Sequence, residues 1–202
     1  MGYADTIDGR MVDYEDFYDK IAQDLPNDCR IAEVGVANGR SAIYLAEKLR
    51  ELGKNFTLYM IDSLDYGHEN QLTEIIRNVQ KSGLSEFIEI MPLDSLNASL
   101  RFNDNSLHFV FIDASHTFEG TKADIRLWWH KVSYGSILAG HDFNEHEGIG
   151  VKNAVEELLP REIQRPPSGE DTYEPEKFLE VINTSKGLGV WAVTKQWYYH
   201  LK

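Results

Sequence analysis

Cysteine, basic residues and long apolar runs are what this chain has little of. A single cysteine, Cys29, leaves no intramolecular disulfide, and it is expected to pack near the start of the first strand without chemistry of its own. Lys and Arg number 20 against 33 Asp and Glu, a formal net charge of -13. Phosphate backbones need basic surfaces, so a nucleic-acid substrate is disfavoured. An anionic membrane partner is disfavoured on the same ground. A neutral or cationic small molecule is easier to accommodate. No apolar run is long enough to span a bilayer, and no signal-peptide pattern is visible, so a cytoplasmic protein is expected. Met1–Thr6 fits a loose myristoylation pattern. It lacks a basic second signal and carries an early acid, Asp5, and is set aside.

What is present is an ordinary globular composition, 42% hydrophobic and 26% charged, in a chain long enough to bury a core. One domain is expected over 1–202, with 1–27 as a helical extension carrying an amphipathic helix at 10–25. Strand signals follow at 30–36, 56–62, 86–91, 107–113 and 135–140, alternating with helix signals at 40–52, 69–82, 118–132 and 148–159. The strand runs are short, which suits buried parallel strands. Phe178–Ile182 and Leu188–Val193 then read as an antiparallel hairpin. The fold expected is α/β: a Rossmann-like, seven-stranded, mostly parallel sheet with helices on both faces and a C-terminal antiparallel hairpin. Residues 160–176, with Pro160, Pro166, Pro167, Gly169 and Pro175, read as a lid or mobile loop.

The most informative stretch is Glu33-Val-Gly35-Val-Ala-Asn38-Gly39-Arg-Ser41. A strand that breaks at glycines and re-enters as a helix is the entrance to a nucleoside-binding α/β fold. Gly35 and Gly39 let the backbone approach a ligand closely, and Asn38 serves the turn. A pyrophosphate would be repelled by Glu33 at the strand end. The sulfonium and ammonium of S-adenosylmethionine would be attracted there. Asp62, ending the second strand, is placed to accept both ribose hydroxyls. Asp94-Ser95, after the third strand, lies where an adenine edge would be read; helix capping is the competing role.

The chain resembles the class I S-adenosylmethionine-dependent methyltransferases, and within them the small-molecule O-methyltransferase branch of macrocin- and mycinamicin-type sugar methyltransferases. Glu33–Gly39, Ile112–Gly120, Gly135–Phe143 and Gly150–Glu157 carry that resemblance. Asp113 ends the fourth strand and His141-Asp142 end the fifth, so their side chains can meet in the crevice at the carboxyl ends. Two carboxylates and an imidazole there form a candidate site for Mg²⁺ or Mn²⁺. The resemblance implies acidic ligands at all three positions, and His141 departs from it. In the metal-free alternative, Asp113 and Asp142 orient the methionine end of the cofactor and the acceptor by hydrogen bonds. Methyl transfer to a hydroxyl needs alignment and removal of a proton. His116 is the first candidate for that base and His141 the second.

Trp128 and Trp129 are expected to pack in the core, as is Trp191, while Tyr66, Phe143 and Tyr173 are placed near the rim of a pocket. Two other functions stay open on sequence alone. Asp113, His116 and His141 match a two-histidine, one-carboxylate iron site of an oxygenase. A non-catalytic cofactor-binding partner subunit is the other. The partner expected is a small-molecule acceptor, with homo-oligomerisation possible.

Overall fold

The central strands are covered on both faces. In β1 (Cys29–Val34) and β4 (Leu107–Ile112) every residue but the second is buried. The computed structural model describes residues 2–7, 14–65, 69–144, 150–162, 179–182 and 189–195. Its strands form a seven-stranded sheet in the order β3-β2-β1-β4-β5-β7-β6, mostly parallel, with helices around it. The chain divides into two compact units, Met1–Arg101 and Phe102–Lys202.

In the first unit β1 pairs in parallel with β2 (Phe56–Ile61), and β2 with β3 (Ile88–Met91). The crossovers are α2 (Arg40–Glu51) and α3 (Gln71–Ser82), and α1 (Glu15–Asp24) precedes the sheet. Ile43, Ala46 and Leu49 recur on one face of α2 and are fully buried. Gly83 adopts a left-handed conformation (φ 69°) that ends α3. Burial pushes the Cys29 thiol up to about 11, so it stays protonated and inert.

In the second unit β4 pairs in parallel with β5 (Val132–Phe143), and β5 pairs antiparallel with β7 (Gly189–Thr194), which pairs antiparallel with β6 (Leu179–Ile182). The crossover helices are α5 (Phe118–Lys131) and α6 (Val151–Glu162). Trp128, Trp129 and Trp191 are buried, as expected of core side chains.

Several boundaries move. β5 was expected over 135–140 but begins at Val132, because the chain leaves α5 directly into extended backbone there (φ -68°, ψ 133°). The expected helix at 148–159 runs instead to Glu162, so residues 160–162 of the expected lid are helical; the rest of it lies outside the described residues. The helix expected at 10–25 is described only as α1. A five-residue helix, α4 (Ser95–Ser99), was not anticipated, being too short for any periodicity to show.

Lys195, just after β7, is nearly inaccessible. Its ammonium donates to the Trp129 and Val132 carbonyls (2.9 and 2.8 Å) and to Asn105 Oδ1 (3.0 Å). Burial lowers its pKa to about 8. Desolvation opposes the charge, yet Lys195→Met would strand the two buried carbonyls of Trp129 and Val132, each costing about 1–3 kcal/mol when left unpaired. Lys195→Met is therefore expected to destabilise the fold by about 2–4 kcal/mol, read as a lower denaturant midpoint at unchanged slope.

Candidate active site

The first unit holds the glycine loop. Gly35 (φ 87°) and Gly39 (φ 82°) sit in the left-handed region, and Gly39 is the residue immediately before α2. A Cβ on Gly39 would stand 2.3 Å from Met60 Cε, a flexible methyl that can swing aside, so it is the left-handed conformation that calls for glycine there. Ala37 is also left-handed (φ 47°), unusual for a residue with a side chain. Asp62 compensates: its Oδ2 accepts from the Val36 and Ala37 amides (3.0 Å each), and its Oδ1 from Leu64 (2.8 Å). The carboxylate expected to hold a ribose thus also holds the loop.

Glu33 is completely buried at the end of β1. Its Oε2 accepts from the Tyr18 hydroxyl (2.8 Å) and its Oε1 from the Ser41 hydroxyl. Ser41 is near the start of α2, and Tyr18 comes from α1. Two hydroxyls, one from each of these helices, thus hold the carboxylate in place. Asp94 takes the role that competed with reading an adenine edge. It caps α4, accepting from the Asn97 backbone (2.8 Å) and side chain (2.6 Å), and those bonds lower its pKa. Ser95 is the first residue of that helix.

Two loop contacts were not anticipated. Gln71 Nε2 donates to the Ala37 carbonyl (3.1 Å) and Asn78 Nδ2 to the Asn38 carbonyl (3.0 Å). They are seven residues apart on α3, hence on one side of it, which is the signal that would have revealed them.

In the second unit the expected cluster forms. One donor atom each from Asp113, His141 and Asp142 lies within 4.8 Å of the others. His141 Nδ1 is 3.6 Å from Asp142 Oδ2 and 3.9 Å from Asp113 Oδ1. Asp142 is held at φ 58°, at an irregularity in the β5–β7 register, and this bend brings consecutive residues His141 and Asp142 to the same cluster. Gly140 permits the packing beneath: a Cβ there would meet the Ile112 carbonyl and the Trp191 ring, both at 2.6 Å.

His116 joins them from the loop before α5. Its Nε2 is 3.0 Å from Asp142 Oδ2 and 3.6 Å from Asp113 Oδ1, so both carboxylates lie beside one ring nitrogen. Hydrogen bonding to Asp113 and the charges of Asp142 and Asp113 raise its pKa, against burial and the neighbouring His141. The loop is fixed around it: Thr121 Oγ1 donates to the Ser115 carbonyl, Gly150 N to the His116 carbonyl, and Thr117 caps α5. His116 is about half exposed whereas His141 is buried, so of the two candidate bases only His116 is open to an acceptor. A small cleft between them is lined by Asp113, Ser115, His116, Thr121, His141 and Trp191.

The profile of the methyltransferase domain family matches residues 32–143, more than half of the chain. The chain belongs to that family. It is a methyltransferase enzyme, and the oxygenase alternative falls with that assignment. Its fold is that of the S-adenosylmethionine-dependent O-methyltransferases. The O-methyltransferase of Bacillus cereus in complex with S-adenosylhomocysteine superposes with a TM-score of 0.65 at 16% identity, covering 95% of this chain and 86% of that one. TomG of Streptomyces achromogenes, an O-methyltransferase of tomaymycin synthesis bound to S-adenosylmethionine, gives 0.64 at 15%, over 93% and 82%. A putative rRNA methylase of Clostridium thermocellum gives 0.64 at 13%, over 93% and 99%. These likenesses show the fold and leave the acceptor open. No curated protein matches the chain. Among the described residues, no helix is long and apolar enough to cross a membrane.

Proposed function

We propose that this methyltransferase acts on a hydroxyl of a small molecule, such as a sugar or glycoside, with His116 as the base and a divalent cation as an aid. The observation that carries this is the contact of a half-exposed His116 with Asp142 and Asp113 beside a cleft. S-adenosylmethionine, when bound, supplies an electrophilic methyl group. Gly35, Asn38 and Gly39 admit it to the loop, Asp62 takes its ribose, and the negative charge of Glu33, oriented by Ser41, favours its cationic end. Asp94 and Ser95 border its adenine.

With Nε2 facing the carboxylates, the His116 N–H is fixed there, and Nδ1 is the nitrogen that takes the proton of the acceptor hydroxyl. The paired carboxylates stabilise the imidazolium that results. The donor set of Asp113, His141 and Asp142 fits a divalent ion: two hard oxygens suit Mg²⁺, and the imidazole shifts preference toward Mn²⁺. Such an ion would lower the pKa of the acceptor hydroxyl. A small-molecule acceptor rather than RNA is supported by the net charge of -13.

The test is transfer of a labelled methyl group to a panel of sugars, glycosides, phenols and RNA, with EDTA or with added Mg²⁺ or Mn²⁺. Methylation of a small hydroxylated acceptor, falling about tenfold or more in EDTA and restored by either ion, is the expected result. Transfer to RNA alone would overturn the acceptor class. An EDTA-insensitive rate would remove the ion and leave His116.

A further inference from the structure

The first residues of the chain are tied to the cofactor loop by an unbroken run of hydrogen bonds. Tyr3–Thr6 form a 3₁₀ turn. The Tyr3 and Ala4 amides donate to the two carboxylate oxygens of Glu47 on α2 (2.7 and 3.4 Å), and Glu47 is buried. The Tyr3 hydroxyl donates to Asn78 Oδ1 (3.3 Å), and Asn78 Nδ2 donates to the Asn38 carbonyl (3.0 Å). The chemistry of each link fixes the next. A loop carbonyl only accepts, so Asn78 must turn its NH₂ toward Asn38, and its oxygen then calls for a donor, which Tyr3 supplies.

We infer that the N-terminal turn is a strap that positions the glycine loop, so that seating of Tyr3 on Asn78 and Glu47 and binding of cofactor favour one another. This rests on taking Gly35–Gly39 as the cofactor loop. Seating is close to all-or-none, because Glu47 loses two backbone donors when the turn lifts and must then reach water. Coupling between two such sites is reciprocal. Whatever the strap adds to cofactor affinity, the cofactor returns as protection of the strap. Tyr3 and Asn78 are positioning residues that touch the cofactor only through Asn38.

The test combines hydrogen exchange of the N-terminal segment with a double-mutant cycle read by S-adenosylhomocysteine calorimetry. In the unaltered chain, saturating S-adenosylhomocysteine should slow exchange at the Tyr3 and Ala4 amides by about fivefold or more. Asn78→Ala should weaken S-adenosylhomocysteine by about tenfold and Tyr3→Phe by about threefold. Because both act through one chain of bonds, Tyr3→Phe should add nothing in the Asn78→Ala background. Tyr3→Phe keeps the ring and removes only the hydroxyl, so its melting temperature should be unchanged while its affinity falls. Unaltered affinity in both variants, additive losses, or exchange indifferent to S-adenosylhomocysteine would each overturn the strap while leaving the cofactor loop intact. Failure of the unaltered chain to bind S-adenosylhomocysteine would overturn the cofactor loop itself, and the strap with it.

Discussion

Asp62→Ala is expected to weaken S-adenosylhomocysteine binding by about a hundredfold or more. Two losses combine. A hydrogen bond to a charged acceptor contributes about 1.5–3 kcal/mol, so the ribose contact that the three loop amides leave room for accounts for a factor of about 10 or more. The second loss is structural, since Asp62 Oδ2 is the acceptor that holds the Val36 and Ala37 amides (3.0 Å each) and supports the left-handed Ala37. Asp62→Asn separates the two. Its carbonyl oxygen can still accept the loop amides, but its NH₂ cannot accept a hydroxyl, so a smaller loss of about tenfold is expected. Calorimetry on both variants, with circular dichroism to show that each is folded, reads the difference. Equal affinity of Asp62→Ala and the unaltered chain would refute the ribose role.

His116→Ala is expected to lower kcat by about 10²–10⁴-fold, the usual contribution of a positioned general base. Affinity for S-adenosylhomocysteine should hold, because His116 is placed on the acceptor side of the chemistry. A parallel fall in cofactor affinity would instead mean that His116 supports the fold of the loop. The pH dependence carries a sign. The base must be neutral, and in the metal-free protein the adjoining carboxylates raise the His116 pKa above 6.5. The metal-free rate should therefore climb with pH through a midpoint above that value. Asp142→Asn removes one of the charges and should move the midpoint down. Imidazole proton shifts followed by NMR give the same pKa without needing an acceptor. A midpoint below 6.5, unmoved by Asp142→Asn, would contradict the pairing.

Much of this was legible in the residues, for identifiable reasons. Gly39 could be read because a left-handed residue before a helix leaves few choices. The strands could be read because burial leaves short runs rich in apolar residues, as in Leu107–Ile112. The contact of His116 with Asp142 could not. It depends on a single left-handed residue within β5, at a place where the apolar pattern simply continues as strand. Glu33 was legible as a strand-end carboxylate, but its partner Tyr18 reaches it from a helix before the sheet, a contact no local pattern encodes. Lys195, two residues past the expected hairpin, is a buried tie between three acceptors that no local pattern encodes. Pro160 was weighed as a loop signal although α6 extends to Glu162, one residue's preference yielding to the helix around it.

Titration of S-adenosylhomocysteine into the folded, unaltered chain tests the central claim most directly. A nucleoside cofactor bound at Gly35–Gly39 and Asp62 predicts saturable binding of one S-adenosylhomocysteine per chain, with no heat from NAD⁺ at the same concentration. A well-folded sample that takes up no S-adenosylhomocysteine, or that takes up NAD⁺ instead, would contradict it.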